Sequence, residues 1–311
     1  MKRTAKEYSL VTLKGIAMGA ADVIPGVSGG TIAFITGIYE ELINSIKSIN
    51  LGALKLLLTG KFAQFWKAVN GNFLFSLLTG IAISIISLAK GLKYLLDHYP
   101  ILVWSFFFGL VVASTIYVAR TIPKWKLGTV VSGIAGIIIA YFITIITPAE
   151  ANTTYWFIFL SGAIAICAMI LPGISGSFIL VLMGMYKFIL EAVGNFEIAI
   201  IITFLAGAAI GIISFSNFLS WLLRKYHNLT IALLAGFMVG SLNKVWPWKK
   251  VVETFTDRHG EIKPLIEENI LPATYEQITG NQSFIFGAIA LATFGFILIF
   301  LIENIAKRLK K

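Results

Sequence analysis

The chain has 311 residues, 58% of them hydrophobic and only 13% charged, with a mean hydropathy of +0.87. Soluble domains carry roughly 25% charged residues, so this composition excludes an ordinary soluble protein and points to a polytopic membrane protein. The net charge of +10 reads as basic residues that orient the chain and meet anionic headgroups, not as a nucleic-acid surface.

Taken from the N-terminus, MKRTAK followed by an apolar run and AMGAA resembles a signal peptide in outline. Lys14 interrupts that run, however, and residues 15–40 have a counterpart later, so the segment is kept in the mature protein. GAADVIPGVSGG at 19–30 then places an acid, a Pro-Gly step and two more glycines inside apolar sequence, which predicts a re-entrant broken-helix hairpin over 10–45. Residues 47–70 carry Lys47, Lys55, Lys61 and Lys67 among Leu54, Leu57, Leu58, Phe62, Phe65 and Trp66, the pattern of an amphipathic helix at the membrane interface; a solvated connector is the alternative. Transmembrane helices are expected at 73–96 and 101–119, completing a first repeat core over 1–127, and at 128–147, closing the first half.

The second half starts with another break, AMILPGISGS at 168–177, inside an expected hairpin at 155–190. Helices at 198–223 and 229–245 complete a second core over 155–245. Residues 246–282 form an extracytoplasmic loop of mixed charge, with RHG at 258–260 as a hairpin turn and no function legible in it. A last crossing at 283–303 and a basic cytoplasmic tail at 304–311 end the chain.

The halves are related. A shift of 147 superposes Pro25/Pro172, Gly26/Gly173, Ser28/Ser175, Gly29/Gly176, Gly37/Gly184 and Tyr39/Tyr186. A shift of 127 then aligns the block from Gly80 to Ser114 with that from Gly207 to Ser241. Matching Pro, Gly, Ser and Tyr is not a by-product of shared hydrophobicity, so this is an internal repeat.

Charge sets the orientation. If each broken segment enters and leaves on one side, the lysines of 41–72, then Arg120, Lys124, Lys126, Arg224, Lys225 and the tail all fall inside. The stretches 148–155 and 187–197 fall outside, and the exceptions Lys90 and Lys93 sit near Asp97. A hairpin plus three crossings is an odd number of crossings, so the second half is expected to be inverted. The expected fold class is thus an all-α polytopic membrane protein with an inverted repeat, both termini cytoplasmic.

Unpaired backbone groups cost several kcal/mol each in hydrocarbon, so such breaks survive only in a protein interior or beside a polar cavity. A half-helix starting near Gly29–Thr31 presents N–H groups and a positive dipole end, which suits an anion such as phosphate. The candidate binding residues are Pro25, Gly26, Ser28, Gly29, Gly30 and Thr31, with Pro172, Gly173, Ser175, Gly176 and Ser177 in the second copy. Two such arms entering from opposite faces would meet near the midplane; close helix packing through small residues is the structural alternative.

Asp22 has no counterpart, since Met169 stands at its place. A carboxylate this deep is a functional candidate, for proton or cation coupling, unless it caps a half-helix or pairs with Lys14. Lys14, Arg120 and Arg224 lie at membrane boundaries, where they either attract phosphate or anchor the topology. Cys167 is the sole cysteine, and His98, His227 and His259 lack metal-ligand spacing, so neither a metal site nor a cofactor is expected.

GAADVIPGVSGGTIAFITGIYE and LPGISGSFILVLMGMY resemble the DUF368 family of bacterial and archaeal membrane proteins, over essentially the whole chain. The resemblance implies a transporter of polyprenyl phosphate, similar in role to the unrelated DedA group, returning undecaprenyl phosphate to the cytoplasmic leaflet for cell-wall synthesis. Ser177, where the first motif has a second glycine, departs from strict symmetry. The implied partners are a lipid-linked phosphate and membrane lipids; a homo-oligomer is compatible with the sequence.

No GxxxxGK[ST] is present, so driving force must come from ions such as H+ or Na+, from the membrane potential or from substrate removal. The competing readings are a secondary transporter of a small soluble ion and, more remotely, an intramembrane lipid phosphatase, for which the histidines form no site.

Overall fold

The computed structural model describes residues 3–22, 28–256 and 262–309, and these are mostly helical. In chain order the helices are α1 (Ala5–Asp22), α2 (Gly29–Ile35), α3 (Tyr39–Lys47), α4 (Leu51–Leu58), α5 (Phe62–Ala68), α6 (Gly71–His98), α7 (Pro100–Arg120) and α8 (Leu127–Ile145). They continue with α9 (Tyr155–Ile170), α10 (Gly176–Leu182), α11 (Tyr186–Gly194), α12 (Ile198–Lys225) and α13 (His227–Ser241). Strands β1 (Lys249–Thr256) and β2 (Ile262–Asn269), then α14 (Pro272–Thr279) and α15 (Ile285–Leu309), complete the fold.

Among the described residues, α6, α7, α8 and α12 are long and apolar enough to cross a bilayer. The pair α10 and α11, bent by 110°, adds a fifth if taken as one broken span. At 15 residues, α13 reaches only about 22 Å, short of a ~30 Å hydrocarbon core; with α9 and Ile285–Leu301 of α15 it belongs to the shorter apolar helices.

Two points qualify the expectations. The mostly helical chain fits the expected all-α class and adds one hairpin, in which β1 and β2 pair antiparallel with irregular register around Glu253. Their sequences KKVVETFT and IKPLIEEN combine β-branched and aromatic residues with charges, and a two-stranded edge in hydrocarbon would leave backbone groups unpaired. The hairpin therefore belongs outside the membrane. The RHG turn expected at 258–260 lies outside the described residues. Secondly, the single helix expected over 47–70 is two, α4 and α5, parted at Gly60 with φ +72. Leu51, Leu58 and Phe62 remain largely exposed on this pair.

The halves are built alike. The short helices α2 and α10 each have seven residues and a serine N-cap, α3 and α11 have nine, and α6 and α12 have 28. In each half the helix before the break packs on the long one, α1 on α6 and α9 on α12. The closing helices are exchanged: α8 packs on α13, and α15 packs on α7.

In lipid the hydrophobic effect does not hold helices together, so close packing must. At each of these four crossings both helices contribute a glycine where a methyl group would run into the partner's backbone. The pairs are Gly15 with Gly80, Gly162 with Gly207, Gly109 with Gly295, and Gly136 with Gly236. Between the crossings lies a core that includes Tyr39, Ile43, Phe73, Leu77, Val111, Leu234 and Met238. Asn44 of α3 accepts from Ser220 of α12 at 3.0 Å, and Lys47 donates to the same hydroxyl at 3.3 Å. The first half is thereby fastened to the second.

Gly80→Val should destabilise the purified protein by about 1–3 kcal/mol, the usual range for overpacking, read as a lower thermal midpoint in detergent. Gly91→Ala, on the same helix but with open space around it, should leave the midpoint unchanged or slightly raised, since alanine favours helix by roughly 0.5–1 kcal/mol.

Candidate functional site

The first break begins where α1 ends at Asp22. Pro25 and Gly26 lie outside the described residues; the structure resumes at Ser28, which is fully buried. Ser28 is in an extended conformation and caps α2, accepting from the Gly30 N–H at 3.1 Å. The Asp22 carboxylate reaches across the break and accepts from the Gly29 N–H at 2.6 Å. The Thr31 N–H goes to the Ser28 carbonyl at 2.9 Å. All three leading N–H groups of α2 are therefore taken by the chain itself. This corrects the expectation of an open anion site, because an anion here must displace Asp22. Of the two structural alternatives for Asp22, the cap is the one seen. Lys14 donates to the Thr36 carbonyl at 2.7 Å, one residue past the C-terminal end of α2.

The second break runs from Leu171 to Ser175, with Pro172 and Gly173 buried. Gly173 has φ +89, and an added Cβ would lie 2.6 Å from the Ser241 hydroxyl of α13, so both backbone and space demand glycine. Ser175 caps α10 by accepting from the Phe178 N–H at 3.2 Å, and its hydroxyl is 3.2 Å from that of Ser177. A Cβ on Gly176 would meet the Ala165 carbonyl at 2.6 Å.

The two breaks touch. The Ser28 hydroxyl donates to the Met169 carbonyl at 3.0 Å, and the Tyr39 hydroxyl donates to the Ile170 carbonyl at 3.1 Å. The Gly173 N–H donates to the Thr31 hydroxyl at 2.9 Å. Gly30 is small because the Ile170 carbonyl lies where its Cβ would be. Orphan carbonyls at the end of α9 and an orphan amide in the second break are thus satisfied by side chains of the first break.

The structure brings together Asp22, Ser28, Gly29, Gly30 and Thr31 with Gly173; Pro172 and Ser175 flank it in the same buried turn, and Gly176 and the partly buried Ser177 open α10. Arg120 and Arg224 are not part of this junction. They are exposed at the C-terminal ends of α7 and α12, Arg120 over the Phe300 ring and Arg224 bonded to the Ser220 carbonyl of its own helix. Tyr39 was missed as a site residue. Its match with Tyr186 across the repeat was visible, but its partner 131 positions away was not.

Thr31→Val keeps the shape of the junction and strands the buried Gly173 N–H, at a cost of about 1–3 kcal/mol. The Gly173 amide should exchange hydrogen faster in that variant and at the wild-type rate in Thr31→Ser.

Residues 18–263, which include both breaks, match the model of a family described as undecaprenyl phosphate translocase-like. The chain is 50% identical over 276 residues to a polyprenyl-phosphate transporter of Vibrio cholerae, covering 89% of this chain and 90% of that protein. It is 34% identical over 255 residues to a polyprenyl-phosphate transporter of Staphylococcus aureus, covering 76% and 85%. No solved structure matches. With its apolar helices and broken-helix junction, the chain belongs to the undecaprenyl phosphate translocase-like family, multi-pass membrane transporters rather than enzymes.

Proposed function

We propose that the protein moves undecaprenyl phosphate, or a related polyprenyl phosphate, from the outer to the inner leaflet of the cytoplasmic membrane, so that the lipid carrier is reused in envelope synthesis. The substrate class follows from the two relatives and from the family. Mechanistically, the observation that carries the reading is the contact between the two breaks through Ser28, Thr31, Met169 and Gly173.

A lipid phosphate has an anionic head that cannot enter hydrocarbon and a tail that can stay there. A carrier therefore needs a polar point at membrane depth whose backbone groups exchange partners, with a lateral opening for the tail. The junction supplies hydroxyls and amides of that kind, now bonded to one another. Phosphate oxygens replace Asp22 at the Gly29 N–H and Ser28 at the Gly30 N–H, and the released junction lets the halves shift. The halves are inverted in this scheme, with both termini cytoplasmic as the lysine distribution favours. Asp22 is the coupling group: it must leave the amide when phosphate arrives, and uptake of a proton or cation makes leaving easier.

The test is reconstitution in vesicles with labelled undecaprenyl phosphate, following its exposure on each leaflet. Wild-type protein should equilibrate or accumulate the label. The triple variant Asp22→Asn, Ser28→Ala, Ser175→Ala should be slower by about tenfold or more, equivalent to roughly 1.4 kcal/mol, while inserting normally. Transport of a soluble ion with no movement of lipid by the wild type overturns the reading.

A further inference from the structure

The segment after α13 and the β-hairpin bring two lysines to one carboxylate beside the second break. Lys249, the first residue of β1, has a side chain only 6% exposed, and its ammonium lies 3.8 Å from the centroid of Trp104 in α7. Lys244 lies over the ring of Phe178, 4.7 Å from its centroid. Phe178 is the residue whose N–H is capped by Ser175, so this lysine is one residue removed from the second break. Both ammonium groups face a single oxygen, Oε2 of Glu267 in β2, at 3.4 Å from Lys249 and 3.7 Å from Lys244.

The arrangement is held in place. Trp248 donates to the Ser283 carbonyl at 2.8 Å and Trp246 to the Ile270 carbonyl at 2.9 Å, anchoring the base of the hairpin. Asn269, opposite Lys249 in the ladder, donates to the Asn243 carbonyl at 2.6 Å.

Two cations share one anion here, and neither contact is close. Charge-assisted N–H···O bonds normally run about 2.7–2.9 Å, whereas these are 3.4 and 3.7 Å. A phosphomonoester brings up to two charges and three terminal oxygens, enough to serve both ammonium groups. Aromatic rings beneath the lysines fix their positions while leaving the charge available to an anion. Burial lowers the Lys249 ammonium to about 8, against the pull of Glu267, so it is still charged at neutral pH.

We propose that Lys244 and Lys249, seated on Phe178 and Trp104, form a phosphomonoester-recognition site beside the second break, and that Glu267 is the built-in carboxylate the incoming phosphate displaces. In the transport reading, on which its biological role rests, this is where the headgroup is received before it reaches Ser175 and Ser177. The 246–282 segment thereby becomes part of the binding machinery.

The test is equilibrium binding of farnesyl monophosphate and of inorganic phosphate to the full chain in detergent. Lys244→Gln and Lys249→Gln should each weaken farnesyl monophosphate binding by about tenfold, the loss expected for one charge-assisted contact. Lys249→Arg should recover most of the loss. Glu267→Gln should tighten binding by about threefold or more, a gain that misfolding cannot produce. Inorganic phosphate following the same order of variants assigns the site to free phosphate, and a response to farnesyl monophosphate alone assigns it to a lipid headgroup; the site stands in both cases. Unchanged or weaker binding by folded Glu267→Gln, or wild-type binding by the Lys244→Gln, Lys249→Gln double variant, overturns it. Binding is read here without transport. A wild type that binds in this order but moves no lipid overturns the transport reading alone, and one that moves lipid while the lysine variants bind normally overturns this site alone.

Discussion

A backbone amide or carbonyl freed by a broken helix has no solvent to turn to inside a bilayer, and the architecture follows from how that debt is met. The end of α9 hands its Met169 and Ile170 carbonyls to Ser28 and Tyr39, and the second break hands its Gly173 amide to Thr31. The second break draws these partners from the first half, so the two halves must sit against each other for its backbone groups to be satisfied. This makes the junction both the structural centre and the point most sensitive to a competing polar ligand.

The same theme recurs with charge. At the first break the Asp22 carboxylate occupies the Gly29 amide, and at the hairpin Glu267 occupies the space between Lys244 and Lys249. In the proposed scheme each acid is what an anionic substrate displaces. A site left empty and positive would trap its ligand or any passing anion; a resident carboxylate keeps the field balanced and makes binding an exchange.

Much of this was legible because Pro, Gly, Ser and Tyr repeat at matching positions, which apolar residues alone could not signal. Pro172, Gly173 and Ser175 read directly as a break because each carries a backbone consequence. The occupied amides of α2 were not legible, since a carboxylate seven positions from its partner looks the same whether it caps or stands free. Nor was the junction, where contacts span 131 to 142 positions and leave no periodic trace. A hairpin turn was expected at 258–260, but its flanking strands were not, because short mixed-charge strands resemble loop; the split of 47–70 into α4 and α5 turned on Gly60 alone. The proposed lysine site draws on residues from the segment after α13, both strands, α7 and α10, and no single window contains it.

The exchange of closing helices bears on biosynthesis. The glycine face of α7 finds its counterpart only in α15, and Arg120 is separated from Ile285 by 165 positions in the chain. As the protein emerges, α7 enters the bilayer with its packing partner still unmade, and α8 waits likewise for α13. Such distant pairings form late and leave incomplete intermediates exposed to wrong neighbours. A nascent chain that stops before α15 leaves α7 without the helix it packs on, so loss of α15 is felt in the first half of the protein.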